Sequence, residues 1–163
     1  MQMNEKRLLA ALEKNAFADR EHLAKALKCT RDELDATIKR LEEQKVIVGY
    51  NAMVDWDKTN REYITAMIEL KISPIRGEGF DKVARRISKY PQVKSVSLMS
   101  GAYDILLTIE GKTLTEVALF VSQRLAPMDG VLSTATHFVL KKYKDKGISY
   151  DVSEEDMRGL YNI

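Results

Sequence analysis

The turn Ser100-Gly101-Ala102-Tyr103-Asp104 carries the residue types best suited to bind a small ligand, and it runs directly into the alternating apolar segment 105–107. Backbone N–H groups beside Gly101 can approach an anionic group closely because glycine has no Cβ, and the Asp104 carboxylate can pair with a cation. The turn therefore predicts a ligand clamp attached to a strand. The alternative is a plain tight turn in which Gly101 supplies positive φ and Asp104 hydrogen-bonds its own backbone.

Composition excludes several other kinds of site. The chain has 163 residues, a formal net charge of +2, one cysteine and two histidines. Cys29 has no partner for an internal disulfide, and together with His22 and His137 it makes no credible metal site, so we predict no metal and no cofactor. A single cysteine suits a reducing cytoplasm, and the sequence has neither a signal-peptide core nor a run long enough to span a bilayer. We expect a cytoplasmic protein without a membrane partner.

Three short helices are predicted within the first 60 residues. Apolar residues repeat at helical spacing in each: Leu8, Leu9 and Leu12; Leu23, Ala24 and Leu27; Leu34, Ile38 and Leu41. Asp19 is a predicted N-cap, and Thr30 with Glu33 fits a capping box. The short link between the second and third helices favours a helix-turn-helix over a generic three-helix bundle. Segments 46–48 and 52–54 then predict a small β wing or connector.

In a helix-turn-helix the third helix would enter the major groove of DNA. Steps of about 100° per residue from its apolar stripe place Asp32, Ala36, Lys39 and Glu43 outward, with Asp35 and Arg40 on the flanks. This surface carries more acidic residues than is expected of a surface that contacts DNA phosphates. The helix dipole accounts for acids in the first turn. Asp35 either reads a cytosine amino group or weakens DNA binding.

The remaining residues, 61–163, predict a βαββαβ order with two helices on one face of an antiparallel sheet. A second capping box, Thr113 to Glu116, opens the second of these helices. The predicted segments are a strand over 63–72, a helix through 80–87, strands over 93–99 and 105–110, a helix through 114–125 and a strand over 131–141. The last strand carries apolar residues on both faces, so we expect a partner subunit on the uncovered face, most simply in a two-fold dimer.

Three segments together resemble the Lrp/AsnC family of feast-and-famine transcription regulators over nearly the whole chain through Lys146. They are residues 23–52, the turn 101–104, and Gly130-Val131 leading into Thr134-Ala135-Thr136. The resemblance implies an α+β fold. It consists of an N-terminal winged helix-turn-helix DNA-binding domain with connector, residues 1–60, and a C-terminal ferredoxin-like βαββαβ effector-sensing and oligomerisation domain of the RAM type, residues 61–163.

The resemblance also implies partners and site residues. These partners are double-stranded operator DNA, and an amino acid or related small metabolite bound at subunit interfaces. A homodimer that assembles to a tetramer or octamer is expected. The predicted DNA-binding residues are Lys28, Arg31, Asp35, Thr37, Lys39 and Arg40. The predicted effector-binding residues are Ser100, Gly101, Tyr103, Asp104, Thr134 and Thr136. His137 lies on the strand face opposite the two threonines and is predicted to be structural.

The reading helix departs from the family pattern, which places small hydroxylated residues early and a basic residue where this chain has Thr37. Arg40 is retained. One alternative function is therefore an effector-binding oligomeric sensor with weakened or lost DNA recognition. An enzyme is disfavoured, although siroheme decarboxylases resemble this fold, because the chain has two histidines and no evident Arg and His cluster. A capping pattern at 153–156 predicts a short terminal helix that docks on its own domain or on a neighbouring subunit.

Overall fold

The computed structural model describes residues 4–73 and 79–150. The chain folds into two compact units, Met1–Val54 and Asp55–Ile163. Each unit has its own cluster of buried apolar side chains. The helix predicted around residues 153–161 lies outside the described residues.

The first unit contains helices α1 (Glu5–Lys14), α2 (Arg20–Leu27) and α3 (Arg31–Glu43). Their apolar stripes meet in one core, which comprises Leu8, Leu12, Leu23, Ala24, Leu34, Ile38 and Leu41. Both predicted caps are confirmed. The Asp19 carboxylate accepts from the His22 N–H at 2.7 Å. At α3 the Thr30 hydroxyl accepts from the Glu33 N–H while the Glu33 carboxylate accepts from the Thr30 N–H, which lowers the pKa of Glu33.

Of the two structures predicted for this stretch, a β wing or a connector, the chain forms the connector. Residues 46–54, all of which the structure describes, form no strand. The chain instead folds back at the end of α3, where the N–H groups of Val46 and Ile47 both donate to the Leu41 carbonyl, at 2.9 and 3.1 Å. Ile47 packs on the helical core, and the Tyr50 hydroxyl donates to Glu42 at 2.8 Å. These bonds hold the segment against α3 as an irregular connector.

The second unit has the predicted order of strands and helices. It comprises β1 (Ile64–Ile72), α4 (Gly79–Ile87), β2 (Val93–Leu98), β3 (Ile105–Gly111), α5 (Leu114–Phe120), β4 (Val131–Phe138), β5 (Lys144–Asp145) and β6 (Ile148–Ser149). A 3₁₀ turn at Trp56–Lys58 precedes β1, and a π-helical turn at Val121–Leu125 continues α5. The sheet is antiparallel with order β2-β3-β1-β4, and β5 and β6 form a separate hairpin.

The core of the second unit lies between one face of this sheet and the helices α4 and α5. Alternate residues of the two central strands are buried, namely Ala66, Ile68, Leu70 and Ile72 of β1 and Ile105, Leu107 and Ile109 of β3. Val83 and Ile87 of α4 and Val117 and Phe120 of α5 pack onto them. The α+β fold with its four-stranded antiparallel sheet therefore follows from period-2 strands buried under period-3.6 helices.

Register confirms how residues 133–138 divide between the two faces of the last strand. Thr134, Thr136 and Phe138 stand opposite Leu70, Ile68 and Ala66, so they share the helix-covered face. Ser133, Ala135 and His137 share the open face with Lys71, Glu69 and Met67. The open face is thus more polar than predicted. The strand itself ends at Phe138 rather than Lys141.

The second capping box forms only in part. The Thr113 hydroxyl accepts from the Glu116 N–H at 3.1 Å, as predicted. The Glu116 carboxylate, however, accepts from the Lys112 N–H at 2.7 Å and not from the N-cap residue. The close approach of Gly111 to Val117 brings the end of β3 tightly against α5, because a Cβ on Gly111 would lie 2.9 Å from Val117 Cγ2.

Candidate functional site

The predicted reading helix α3 follows α2 after only three residues. Lys28 ends α2 in a left-handed conformation, with φ 58° and ψ 43°, and its N–H donates back to the helix. Thr30 then caps α3. The predicted outward residues Asp32, Ala36 and Lys39 are all exposed. The sharp turn therefore presents one side of α3 to solvent.

The first residue of α3 is held by two carboxylates. Arg31 Nη1 lies 3.2 Å from Oε1 of Glu21 in α2, and Arg31 Nε lies 3.5 Å from Oδ2 of Asp35, one turn further along α3. The hydrogen bond with Glu21, and to a smaller extent the one with Asp35, raises the pKa of the guanidinium. About half of each side chain remains exposed to solvent. Arg31 and Asp35, predicted separately as DNA-binding residues, thus form one charged cluster.

The other predicted DNA-binding residues have different surroundings. The Thr37 hydroxyl donates to the Glu33 carbonyl at 2.8 Å, which leaves its oxygen available only as an acceptor. Arg40 Nη2 lies 2.6 Å from Oε1 of Glu5 and ties α3 to the start of α1. This ion pair gives Arg40 a structural role. Lys39 is the exposed cation best placed on the outward side of α3.

In the second unit, Asp104 joins the 100–104 turn to the central strand. Its carboxylate accepts from the Ile72 N–H at 2.7 Å, and its own N–H donates to the Leu70 carbonyl at 2.9 Å. Its carbonyl accepts from the Met99 N–H at 2.8 Å. The first of these bonds comes from a strand 32 residues away, so Asp104 does more than close a local turn.

Gly101 does not have the positive φ that the plain-turn alternative required. It is exposed, and a Cβ built on it would meet nothing within 4 Å. Ser100 is exposed and Tyr103 half-buried. The intramolecular structure therefore gives no steric reason for a glycine at position 101.

Thr134 and Asp104 both lie beside Leu70, on opposite sides of β1. Thr136 stands two residues further along, opposite Ile68. The structure thus brings Thr134 nearer to the turn than Thr136, and both threonines are half-buried on the helix-covered face. His137 lies on the strand face opposite the two threonines, as predicted. Its Nε2 lies 3.3 Å from Oε1 of Glu69 on the open face, with 59% of the side chain exposed.

Sequence reasoning missed a small cleft at the same end of β1. A cavity of about 100 Å³ lies beside Ser73, the residue after the Ile72 that bonds to Asp104. Its lining comprises Ser73, Gly79, Lys82, Val83, Arg86, Met128 and Asp129. The cations come from successive turns of α4 and Asp129 from the loop before β4. No local motif connects these segments, so only their packing places them together.

Neither a metal-ligand cluster nor a membrane-spanning helix occurs in the part of the chain that the structure describes. Within residues 4–73 and 79–150, no group of three or more His, Cys, Asp or Glu side chains could hold a metal ion. Over the same two ranges, no helix is long and apolar enough to cross a membrane.

Comparison with known proteins identifies the family. Residues 65–148, just over half of the chain, match the Lrp/AsnC ligand binding domain. The uncharacterized HTH-type transcriptional regulator YugG of Bacillus subtilis (strain 168) is 45% identical over 161 residues, which cover 97% of each protein. The chain belongs to the Lrp/AsnC family.

Solved structures share the fold of this Lrp/AsnC protein. The crystal structure of PH0061 matches with a TM-score of 0.73 and 23% identity, and the match covers 89% of this chain and 97% of that one. A complex of the transcriptional regulator NMB0573 of Neisseria meningitidis with L-methionine matches with a TM-score of 0.65 and 21% identity. That match covers 90% of this chain and 92% of the other.

Proposed function

We propose that this protein is a DNA-binding transcription regulator whose oligomeric state and DNA affinity respond to an amino acid or related metabolite. The observation that carries the proposal is the joint of α2 and α3, where a three-residue turn leaves the outward side of α3 exposed. A helix presented in this way fits the major groove. The full-length similarity to an HTH-type regulator supports the assignment of a helix-turn-helix to residues 1–54.

The effector part of the proposal concerns the second unit. Its strand order β2-β3-β1-β4 with crossover helices supports a ferredoxin-like sensing domain. Asp104 retains Oδ1 to pair with an α-ammonium group, and Gly101 leaves its backbone open to a carboxylate. Ser100, Tyr103, Thr134 and Thr136 remain proposed contributors. L-methionine is the first probe because a protein of this fold was solved with it.

The DNA function is tested by titrating the full-length protein against a duplex taken from upstream of its own coding sequence, at several salt concentrations. We expect binding that weakens steeply with salt. Lys39→Ala should lower affinity for all sequences alike and reduce the salt slope by about 1. Lys89→Ala, which removes an exposed lysine from the second unit, is the matched control.

Absence of specific retention at low salt, or equal effects of the two substitutions, would contradict DNA reading by α3. Arg40→Ala is a less suitable probe because it also breaks the ion pair with Glu5.

The second candidate is an effector-binding sensor with weakened DNA recognition. The ion pairs of Arg31 and Arg40 favour it, because carboxylates already engage two of the cations on α3. In that case L-methionine or another amino acid binds, while selection from genomic DNA recovers no enriched site.

A further inference from the structure

Arg31 is held at the start of α3 by two carboxylates that come from different elements. Glu21 lies in the first turn of α2 and contacts Nη1, while Asp35 lies one turn into α3 and contacts Nε. The guanidinium is planar and carries five N–H groups in a fixed fork. Among the described residues Nη2 makes no ion pair, and Nη1 has a second hydrogen, so both groups can donate to an external acceptor.

This arrangement reduces the cost of using Arg31 in recognition. A long side chain loses rotamer freedom when it binds, and contacts that already fix it lessen that loss. Because 53% of the Arg31 side chain is exposed, the side chain is accessible to an external ligand. Such exposed pairs contribute little to folding stability. The main effect of these two ion pairs is therefore to orient the Arg31 side chain, not to stabilise the fold.

We infer that Arg31 reads a guanine in the major groove and that Glu21 and Asp35 are the positioning residues that orient it. The inference rests on the proposed DNA-binding function. The first residues of the second helix in a helix-turn-helix meet base edges, and a bidentate contact from arginine to guanine O6 and N7 is the commonest specific contact. The Nη1 and Nη2 groups of Arg31 can donate to that pair of acceptors.

The same cluster explains why acids stand on a surface that faces phosphates. Two carboxylates outweigh the charge of Arg31, so the cluster gives little attraction to phosphate in general. A guanine edge still offers two acceptors at the spacing of the fork. The carboxylates thus lower the affinity for DNA of any sequence but preserve the directional contact with guanine. The result is higher sequence selectivity at the expense of overall DNA affinity. Asp35 acts in this scheme through Arg31 rather than by contacting a cytosine.

The test is selection from a random DNA duplex library with the full-length protein, followed by affinity measurements on the selected site and on single base-pair changes. The wild-type protein should enrich a site that contains an essential G·C pair. Arg31→Lys keeps the charge but loses the fork. It should reduce the preference at that pair about tenfold or more, while affinity for unrelated DNA stays within a few-fold.

Asp35→Asn and Asp32→Asn form a matched pair, because each removes one exposed negative charge from the first half of α3. Asp32 makes no ion pair among the described residues, whereas Asp35 contacts Arg31. Both substitutions should raise affinity for unrelated DNA. Only Asp35→Asn should also relax the preference at the G·C pair. In the Arg31→Lys background it should not relax that preference any further.

Two outcomes overturn the inference by itself. One is that Arg31→Lys selects the same site as the wild-type protein, with the same preference at the G·C pair. The other is a loss of preference on Asp35→Asn that persists in the Arg31→Lys background, which would make Asp35 the base-reading residue. If the wild-type protein enriches no sequence at all, the proposed DNA-binding function falls and the inference falls with it. Thermal unfolding of each variant confirms that the fold is retained.

Discussion

At the residue scale, the Asp104 carboxylate uses one of its two oxygens in a bond to the central strand. Its Oδ2 accepts from the Ile72 N–H at 2.7 Å, and its backbone bonds to Leu70 and Met99. These bonds hold the turn to the end of the central strand. The remaining carboxylate oxygen can therefore be presented in a fixed direction, which a ligand-binding group requires.

Substitutions at Asp104 separate the two roles. Asp104→Ala leaves the partly buried Ile72 N–H without its acceptor, so we expect a loss of about 1–3 kcal/mol in the free energy of unfolding. Asp104→Asn retains an acceptor oxygen and should fold with nearly wild-type stability. It should nevertheless weaken L-methionine binding, because the charge that pairs with the ammonium group is gone. Urea denaturation and isothermal titration calorimetry measure the two effects.

Gly101→Ala is a second probe of the same turn, because a Cβ at this position meets nothing within 4 Å in the free protein. Its stability should be unchanged and its L-methionine affinity reduced. Equal amino-acid binding by wild type, Asp104→Asn and Gly101→Ala would leave Asp104 with a purely structural role.

At the scale of elements, the joint between β3 and α5 depends on close packing. Gly111 ends β3, and Thr113 caps α5 two residues later. The Glu116 carboxylate accepts from the Lys112 N–H between them. The helix thereby begins close against the strand, and Val117 is buried over the sheet.

A methyl group at this joint should be costly. In Gly111→Ala the new Cβ would lie 2.9 Å from Val117 Cγ2, so strand or helix must shift. We expect a destabilisation of about 1–3 kcal/mol, as for other overpacked sites. Gly49→Ala is the matched control because its Cβ meets nothing within 4 Å and its φ is not positive. A thermal unfolding curve for each variant checks this. Equal midpoints for the two variants would contradict the tight joint.

At the scale of the whole molecule, the two units have separate cores, and several large apolar side chains remain exposed. In the second unit, Met67 is 37% exposed on the open sheet face and Leu119 is 47% exposed on α5. These two residues lie on opposite sides of the sheet. They therefore distinguish an interface on the open face from one on the helical side.

We expect light scattering after gel filtration to give a multiple of the 18.6 kDa protomer mass. If the open face is the dimer interface, Met67→Lys should lower that mass because it places an unpaired charge in a buried contact. Leu119→Lys should leave the mass unchanged. The reverse result would place the interface on the helical side, and a monomeric wild-type protein would contradict assembly altogether.

Sequence patterns predicted the elements well because the forces that set them are local. The helical stripe Leu34, Ile38 and Leu41 is buried, and the capping box at Thr30 forms, since both depend on residues within a few positions. Alternation in β1 predicted its buried face for the same reason. The β wing does not form because a β-strand needs a neighbouring strand to pair with, and residues 46–54 form no strand. The bonds that residues 46–50 make to α3 were not visible in the alternation of Val46 to Val48.

What the sequence by itself determined is the family, the order of the elements and the residue types available at each site. The tertiary structure decided which groups those residues meet. Arg31 meets Glu21 from 10 residues away, Arg40 meets Glu5 from 35, and Asp104 meets the Ile72 N–H from 32. Hydrogen bonds and ion pairs act over a few ångströms in space. Partners so distant along the chain are fixed only when the helices and strands have packed.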